Sequence, residues 1–182
     1  MASMLCPSCG IENIMGAEAC IRCLTALTPF DAPQASDAVE WSLITETVAV
    51  LKPRKPVCVA ATADLAKAMS VMIDEGVGAV LVLGSSGKLA GILTERDFLT
   101  KIAGSDAFAY LPVAQFMTAD PETVRPGDPL AFALRKMDVG GYRHLPVVVD
   151  DRPIGMISVR DVLRHVLALC QLKPSRDLAL AP

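Results

Sequence analysis

The sequence predicts an α+β protein built from two consecutive copies of one strand–helix–strand–strand–helix unit, preceded by a small metal-held module. Three observations carry this. From residue 47 the chain repeats itself at a spacing of 65 residues. Four of the six cysteines fall between residues 6 and 23. Hydrophobic residues make up 52% of the 182 and charged residues 20%, enough apolar surface for real cores and too much for a disordered chain.

The charge balance narrows the partners. Seventeen basic residues stand against twenty acidic ones, a net charge of -3. A chain-wide polyanion binder needs an excess of Lys and Arg, so nucleic acid is not the expected partner. No apolar run approaches membrane-spanning length, and the opening residues lack a basic region followed by an apolar stretch. The expectation is a cytoplasmic chain with no membrane contact.

The cysteine cluster reads Cys6-Pro7-Ser8-Cys9-Gly10, then Cys20-Ile21-Arg22-Cys23. Two Cys-x-x-Cys turns can present four thiolates to one tetrahedral ion. Gly10 suits a tight knuckle that needs a left-handed backbone, whereas the second knuckle has Leu24 there. A turn with Gly16 at its bend is expected between the pairs. Disulfides fit poorly with a reducing compartment, and a redox-active Cys-x-x-Cys needs a strand–helix unit that does not precede Cys6. The reading is a structural zinc site with Cys6, Cys9, Cys20 and Cys23 as ligands and no open position for catalysis. Residues 1–27 look like a rubredoxin-type zinc ribbon. They are not basic, so a protein contact is the expected use.

Residues 28–46 read as a Pro-rich tether and a short helix, Ala38 to Ile44, capped by Asp37. Then the copies begin, 47–110 and 111–172, with a tail at 173–182. At an offset of 65, Pro56 meets Pro121, Val59 meets Val124, Leu65 meets Leu130, Ala68 meets Ala133, Met72 meets Met137, Gly76 meets Gly141 and Val82 meets Val147. One residue is lost in a turn, and then Gly91 meets Gly155, Arg96 meets Arg160 and Asp97 meets Asp161.

Each copy opens with a short strand, Val57 to Ala60 and Thr123 to Arg125. A helix follows, with apolar residues at helical spacing from Leu65 and from Leu130. Asp64 is the expected cap of the first helix. Asp128 is that of the second, with Pro129 at its first position. Hairpins come next: Val77 to Leu83 with Leu89 to Leu93, and Leu145 to Val149 with Ile154 to Ile157. A last helix begins near Thr94 and near Ser158.

Thr94-x-x-Asp97 and Ser158-x-x-Asp161 have the spacing of a capping box. Arg96 and Arg160 sit badly beside the positive end of a helix. An anion arriving there would remove the conflict, because free N–H groups and the arginine would both point at it. Capping and ligand binding are compatible.

Gly91-Ile92-Leu93-Thr94-Glu95-Arg96-Asp97, its counterpart Gly155-Met156-Ile157-Ser158-Val159-Arg160-Asp161, and Arg143-His144-Leu145-Pro146-Val147-Val148 resemble the CBS domain, and two in tandem look like a Bateman module. The resemblance covers residues 47–171. It implies two units about a pseudo-two-fold axis and an adenine nucleotide (AMP, ADP, ATP) or a relative such as S-adenosylmethionine in clefts between them. In such modules the Asp takes the ribose hydroxyls, and the Thr or Ser lies near ribose or phosphate. Transferred here, one cleft joins Asp120, Thr123, Arg143, His144, Leu145 and Pro146 with Thr94, Arg96 and Asp97. The other joins Lys55, Val57, Ala60, Gly78, Ala79 and Val80 with Ser158, Arg160 and Asp161. With Arg143 and His144 on its wall, the first is expected to bind more tightly. Bateman modules usually form flat homodimers through their helices, and the apolar last helix around Leu163 and Leu167 fits that use as well as packing within the chain. His165 is expected at a surface or dimer contact.

No catalytic set, Walker loop or open metal site appears. The expected function is therefore a non-enzymatic regulatory module that signals to a protein partner. The alternative is a dimeric scaffold or nucleic-acid adaptor working through the ribbon.

Overall fold

The computed structural model describes residues 3–6, 8–14, 17–25, 27, 37–102 and 108–171. The expected bend at Gly16, the tether through residue 36 and the tail from 173 lie outside them.

The N-terminal module is a hairpin of β1 (Ser3–Leu5) and β2 (Glu12–Ile14). Helix α1 (Ala38–Thr45) begins as expected. Asp37 accepts from the amides of Val39 and Glu40 at 2.8 and 3.0 Å, satisfying two N–H groups the helix leaves unpaired.

In the first copy, β3 (Cys58–Ala60) lies parallel to β4 (Ala79–Leu83), and β4 pairs antiparallel with β5 (Leu89–Thr94). Helix α2 (Leu65–Asp74) buries Leu65, Ala68 and Met72 against this sheet. The second copy repeats the plan with α4 (Leu130–Gly140), which follows the short α3 (Glu95–Asp97) in chain order, and with the hairpin β7 (His144–Val149) and β8 (Arg152–Ser158). The equivalence reaches fine detail. Val59 pairs with Val82 and Val124 with Val147, and both hairpins carry a register shift one residue after the equivalent valine. Gly76 and Gly141 both end a helix with φ near +60°.

Each copy is completed by the other's leading segment. Val48 is fully buried in the second core, with Val124, Ala133, Met137 and Leu145. Val113, 65 residues later, is fully buried in the first core, with Val59, Leu65, Val80 and Leu93. The hydrogen bonds reciprocate: Leu65 N–H donates to Leu111 O and Leu130 N–H to Glu46 O, both at 2.9 Å. Further along, β6 (Thr118–Ala119) pairs with β5 of the first copy, while Arg54 bridges to Met156 of the second. The expected division at 110/111 is therefore crossed in both directions by packing.

This exchange corrects two expected caps. Asp64 occupies the cap position of α2 but makes no side-chain cap, and Asp128 lies one residue outside α4, whose cap position is Pro129. The incoming carbonyls of Leu111 and Glu46 already take the first helical amides. Asp128 accepts instead from the amide of Arg125, at 2.7 Å.

Other elements differ in extent. The strand expected at 123–125 is reduced to a bridge at Val124. Strand β8 starts at Arg152 because Asp150 and Asp151 both take left-handed conformations and close a two-residue turn. The last helices diverge. Helix α5 (Val159–Gln171) is regular, whereas α3 gives way to a π turn at Phe98–Ile102. There the Thr100 hydroxyl donates to the Arg96 carbonyl at 2.8 Å, a back-bond that competes with the helical ladder.

Between the copies, Ala79, Leu81 and Ile92 pack with Cys58, Leu89 and Met156. The hairpin tips also meet, with Lys88 Nζ 2.9 Å from Asp151 Oδ2. His165, expected at a surface or dimer contact, is partly buried and engaged within the chain. Its Nε2 lies 2.8 Å from Ser42 Oγ and 3.1 Å from Glu46 Oε2, tying α1 to α5. Leu163 and Leu167 of α5 are exposed, and only Val162 of that helix is buried. No helix among the described residues is long and apolar enough to cross a membrane.

Candidate functional site

The two hairpins and the helices that follow them enclose two clefts, each walled by both copies. The first has a volume of about 450 Å³ and brings Thr94, Arg96 and Asp97 of one copy to Asp120, Arg143 and His144 of the other. The second, about 520 Å³, brings Ser158, Arg160 and Asp161 to Lys55, Val57 and Gly78. Both are within the size range of small-molecule sites.

Local sequence explains how the aspartates are held. In the first cleft the Thr94 hydroxyl donates to Asp97 Oδ2 at 2.6 Å, and the Asp97 amide lies 3.4 Å from that hydroxyl oxygen. In the second, Ser158 and Asp161 repeat both contacts, at 2.6 and 3.4 Å. Lys101 Nζ lies 2.6 Å from the other oxygen of Asp97. Burial pushes the Asp97 carboxyl up, but Lys101 and Thr94 outweigh it and hold the group below its usual value of 3.8. Asp161 Oδ1 lies 3.1 Å from Arg164 and 3.8 Å from Arg54.

Not every expected residue reaches a cleft. Ala79 packs between the copies, and Val80 and Leu145 are buried in the cores. Pro146 is buried on β7, and Ala60, at the end of β3, is exposed but lines neither cleft. Thr123 turns its carbonyl to Lys136 Nζ at 2.9 Å and also stays out of them.

The ground expected for unequal clefts, Arg143 and His144 on one wall only, does not hold. Arg143 and His144 line both, so they favour neither. Glu95, which motif reading passed over, lines both as well. Its carboxyl sits 3.3 Å from where a Cβ on Gly78 would be, so the absence of a side chain at Gly78 makes room for it. The available signal was the one place where the repeated motifs set a charged residue against an apolar one, Glu95 against Val159. His144, half-buried, belongs to this shared wall. Burial pushes its imidazole below the usual 6.5; Glu95 and Asp161 pull it back up, and Arg143 and Arg160 push it down.

A second candidate site lies in the N-terminal module. The sulfur atoms of Cys6, Cys9, Cys20 and Cys23 all fall within 4.8 Å of one another. Cys6 to Cys23 and Cys9 to Cys20 are 3.5 Å apart, far beyond the ~2.05 Å of a disulfide. The two knuckles match. The amides of Ser8 and Arg22 point at Cys6 and Cys20 Sγ at 3.3 and 3.4 Å, and Gly10 and Leu24 both adopt positive φ. Leu24 thus takes the left-handed position without being glycine. The donor set fits a tetrahedral ion with all four places filled by protein. Gly10 faces the ring of Phe132 on α4, where an added Cβ would come within 2.9 Å.

Comparison with known proteins bears on the repeat. The sequence pattern of the CBS domain matches residues 50–104 and 113–168. An uncharacterized 17.7 kDa protein of Acidianus ambivalens is 30% identical over 126 residues, 69% of this chain and 71% of that one. The CBS domain-containing protein CBSCBSPB1 of Arabidopsis thaliana is 31% identical over 136 residues; this chain spans 74% of its own length there but only 25% of that relative's. Among solved structures, the CBS domain NE2398 superposes with a TM-score of 0.63 at 30% identity, over 67% of this chain and 98% of that one. PAE2072 from Pyrobaculum aerophilum, complexed with AMP, gives 0.59 at 24% identity over 67% and 98%. The CBS domain pair of MJ0100, in complex with 5′-methylthioadenosine and S-adenosylmethionine, gives 0.61 at 21% over 67% and 96%. No catalytic domain is among the matched regions.

Proposed function

The chain belongs to the CBS-domain family, and from that premise we propose that it is a non-catalytic regulatory module that senses an adenine nucleotide and signals to a protein partner. The observation that carries this reading is that each cleft is walled by both copies and contains one capped aspartate. A ligand there bridges the copies and favours one relative orientation over others, so its differential affinity becomes a change in the outer surface. Asp97 and Asp161 accept the ribose hydroxyls through the oxygens not used by Thr94 and Ser158. The arginines and His144 meet phosphate or other polar groups. Similar folds carrying AMP, or methylthioadenosine and S-adenosylmethionine, support an adenosyl ligand.

In the same reading, the four cysteines hold a structural zinc ion that supplies most of the folding free energy of a module with almost no apolar core. That module serves protein contacts, and the exposed Leu163 and Leu167 of α5 serve a homodimer. Titration calorimetry of the full chain with AMP, ADP and ATP tests the central claim. Saturable heat with a thermal upshift is expected. No heat and no shift with any adenosine ligand would end it.

A further inference from the structure

The two clefts differ in charge, the second being the more positive, and we infer that they sort adenosyl ligands by phosphate content: the second takes an adenosine polyphosphate, the first an adenosyl compound without phosphate. This rests on the sensing reading and deepens it. The first cleft sets Glu95, Asp97, Asp120 and Glu122 against Arg96 and Arg143. The second sets Arg54, Lys55, Arg143 and Arg160 against Glu95 and Asp161. Glu95, Arg143 and His144 are common to both and cannot discriminate. The difference comes from the unshared walls.

Ion pairs behind the walls preserve the order. Lys101 backs Asp97 and Lys136 backs Glu122, which brings the first cleft only to balance. Arg164 backs Asp161, which leaves the second further in excess of positive charge. The helices add to this. Thirteen-residue α5 turns its positive end toward the second cleft through Ser158, Arg160 and Asp161, whereas at the first α3 and the π turn that continues it form a shorter, less regular run with a weaker dipole. A polyphosphate is drawn to the second cleft and finds no net attraction at the first; an uncharged adenosyl group is indifferent to both fields and keeps the first cleft's carboxylates as acceptors for its hydroxyl and amino donors.

Calorimetry of the full chain with ADP and with 5′-methylthioadenosine tests this. On the wild type, both are expected to bind together, with ADP weakening as salt rises and methylthioadenosine unaffected. Lys55→Glu should weaken ADP at least about tenfold and leave methylthioadenosine within about twofold. Glu122→Gln, on the exposed rim of the first cleft, should strengthen binding of a second ADP equivalent. Displacement of one ligand by the other, equal salt dependence, or equal losses in Lys55→Glu would overturn the sorting while leaving the sensing reading intact. If neither compound binds the wild type the sorting falls, and the sensing reading falls with it when AMP and ATP also give no heat. The salt and displacement measurements need no variant, so a failure of Lys55→Glu to fold does not protect the inference.

Discussion

The backbone N–H and the hydroxyl of Thr94 donate to the same oxygen of Asp97, at 2.8 and 2.6 Å, so one carboxylate oxygen closes the helix cap and the other faces Lys101. Ser158 and Asp161 repeat the arrangement at 2.9 and 2.6 Å. Asp97→Ala and Asp161→Ala should each weaken adenine-nucleotide binding about tenfold or more, since each removes a charge-assisted bond. Loss of the cap should cost about 1 kcal/mol of stability. Calorimetry and a thermal melt separate the two effects. Unchanged affinity in both variants would refute the assigned role.

The crossed packing of Val48 and Val113 makes an unusual mutational prediction. Val48→Ala should destabilise the protein by roughly 1–3 kcal/mol, and Val113→Ala by a similar amount. Hydrogen exchange should locate the damage in the opposite copy. Val48→Ala is expected to speed exchange in α4 and β7, and Val113→Ala in α2 and β4. Loosening confined to the mutated residue's own copy would contradict the exchange.

Gly91 and Gly155, equivalent in the repeat, stand where the crossing segments lie closest. A Cβ on Gly91 would lie 2.9 Å from Thr118 O, and one on Gly155 2.7 Å from Pro53 Cβ. Gly91→Ala or Gly155→Ala should therefore cost roughly 1–3 kcal/mol by overpacking, seen as a lower denaturant midpoint. A neutral effect would show that the segments can move aside.

Stability should fall as pH drops below about 6.5, and His144 is the group responsible. Its imidazole is held below 6.5 in the folded protein, chiefly by burial. The unfolded chain then binds more protons in that range, so stability is lost on acidification and regained as pH rises. Asp97, also held below its usual value of 3.8, adds its own loss of stability at lower pH, as the medium approaches and passes that value. His144→Asn should flatten the melting temperature between pH 7.5 and 5.5; an unaltered slope would assign the effect elsewhere.

One zinc ion per chain is expected by elemental analysis, and Cys20→Ser should lose it, because Cys20 is a buried member of the four. The melt of the paired copies should survive, since their cores contain none of these cysteines. A metal-free protein with oxidised Cys6 and Cys23 would overturn the zinc reading.

What could be read before the structure follows a physical line. Leu65, Ala68 and Met72, with Leu130, Ala133 and Met137, announce two helices because a buried helical face must recur at helical spacing. Thr94-x-x-Asp97 and Ser158-x-x-Asp161 were legible because capping depends only on local geometry. Partnership was not. Matching residue 48 to 113 establishes that both occupy equivalent places, not that each belongs in the other's core. Ala79, Val80 and Leu145 were misplaced for a related reason. Residues 79–82 are buried on both sheet faces, so no alternation distinguishes cleft from core. Glu95 escaped because it breaks the repeat instead of obeying it.

The mutual loan of residues 46–54 and 111–119 has a consequence for severing the chain. A nick between the copies would leave each fragment with a hole shaped for the other's first segment and a segment of its own fitting nowhere else. Neither fragment could close its interior unaided, yet the pair could reassemble without a covalent bond. The tandem chain is thus two complementary half-molecules in one, and the clefts between them would exist only in the reunited form.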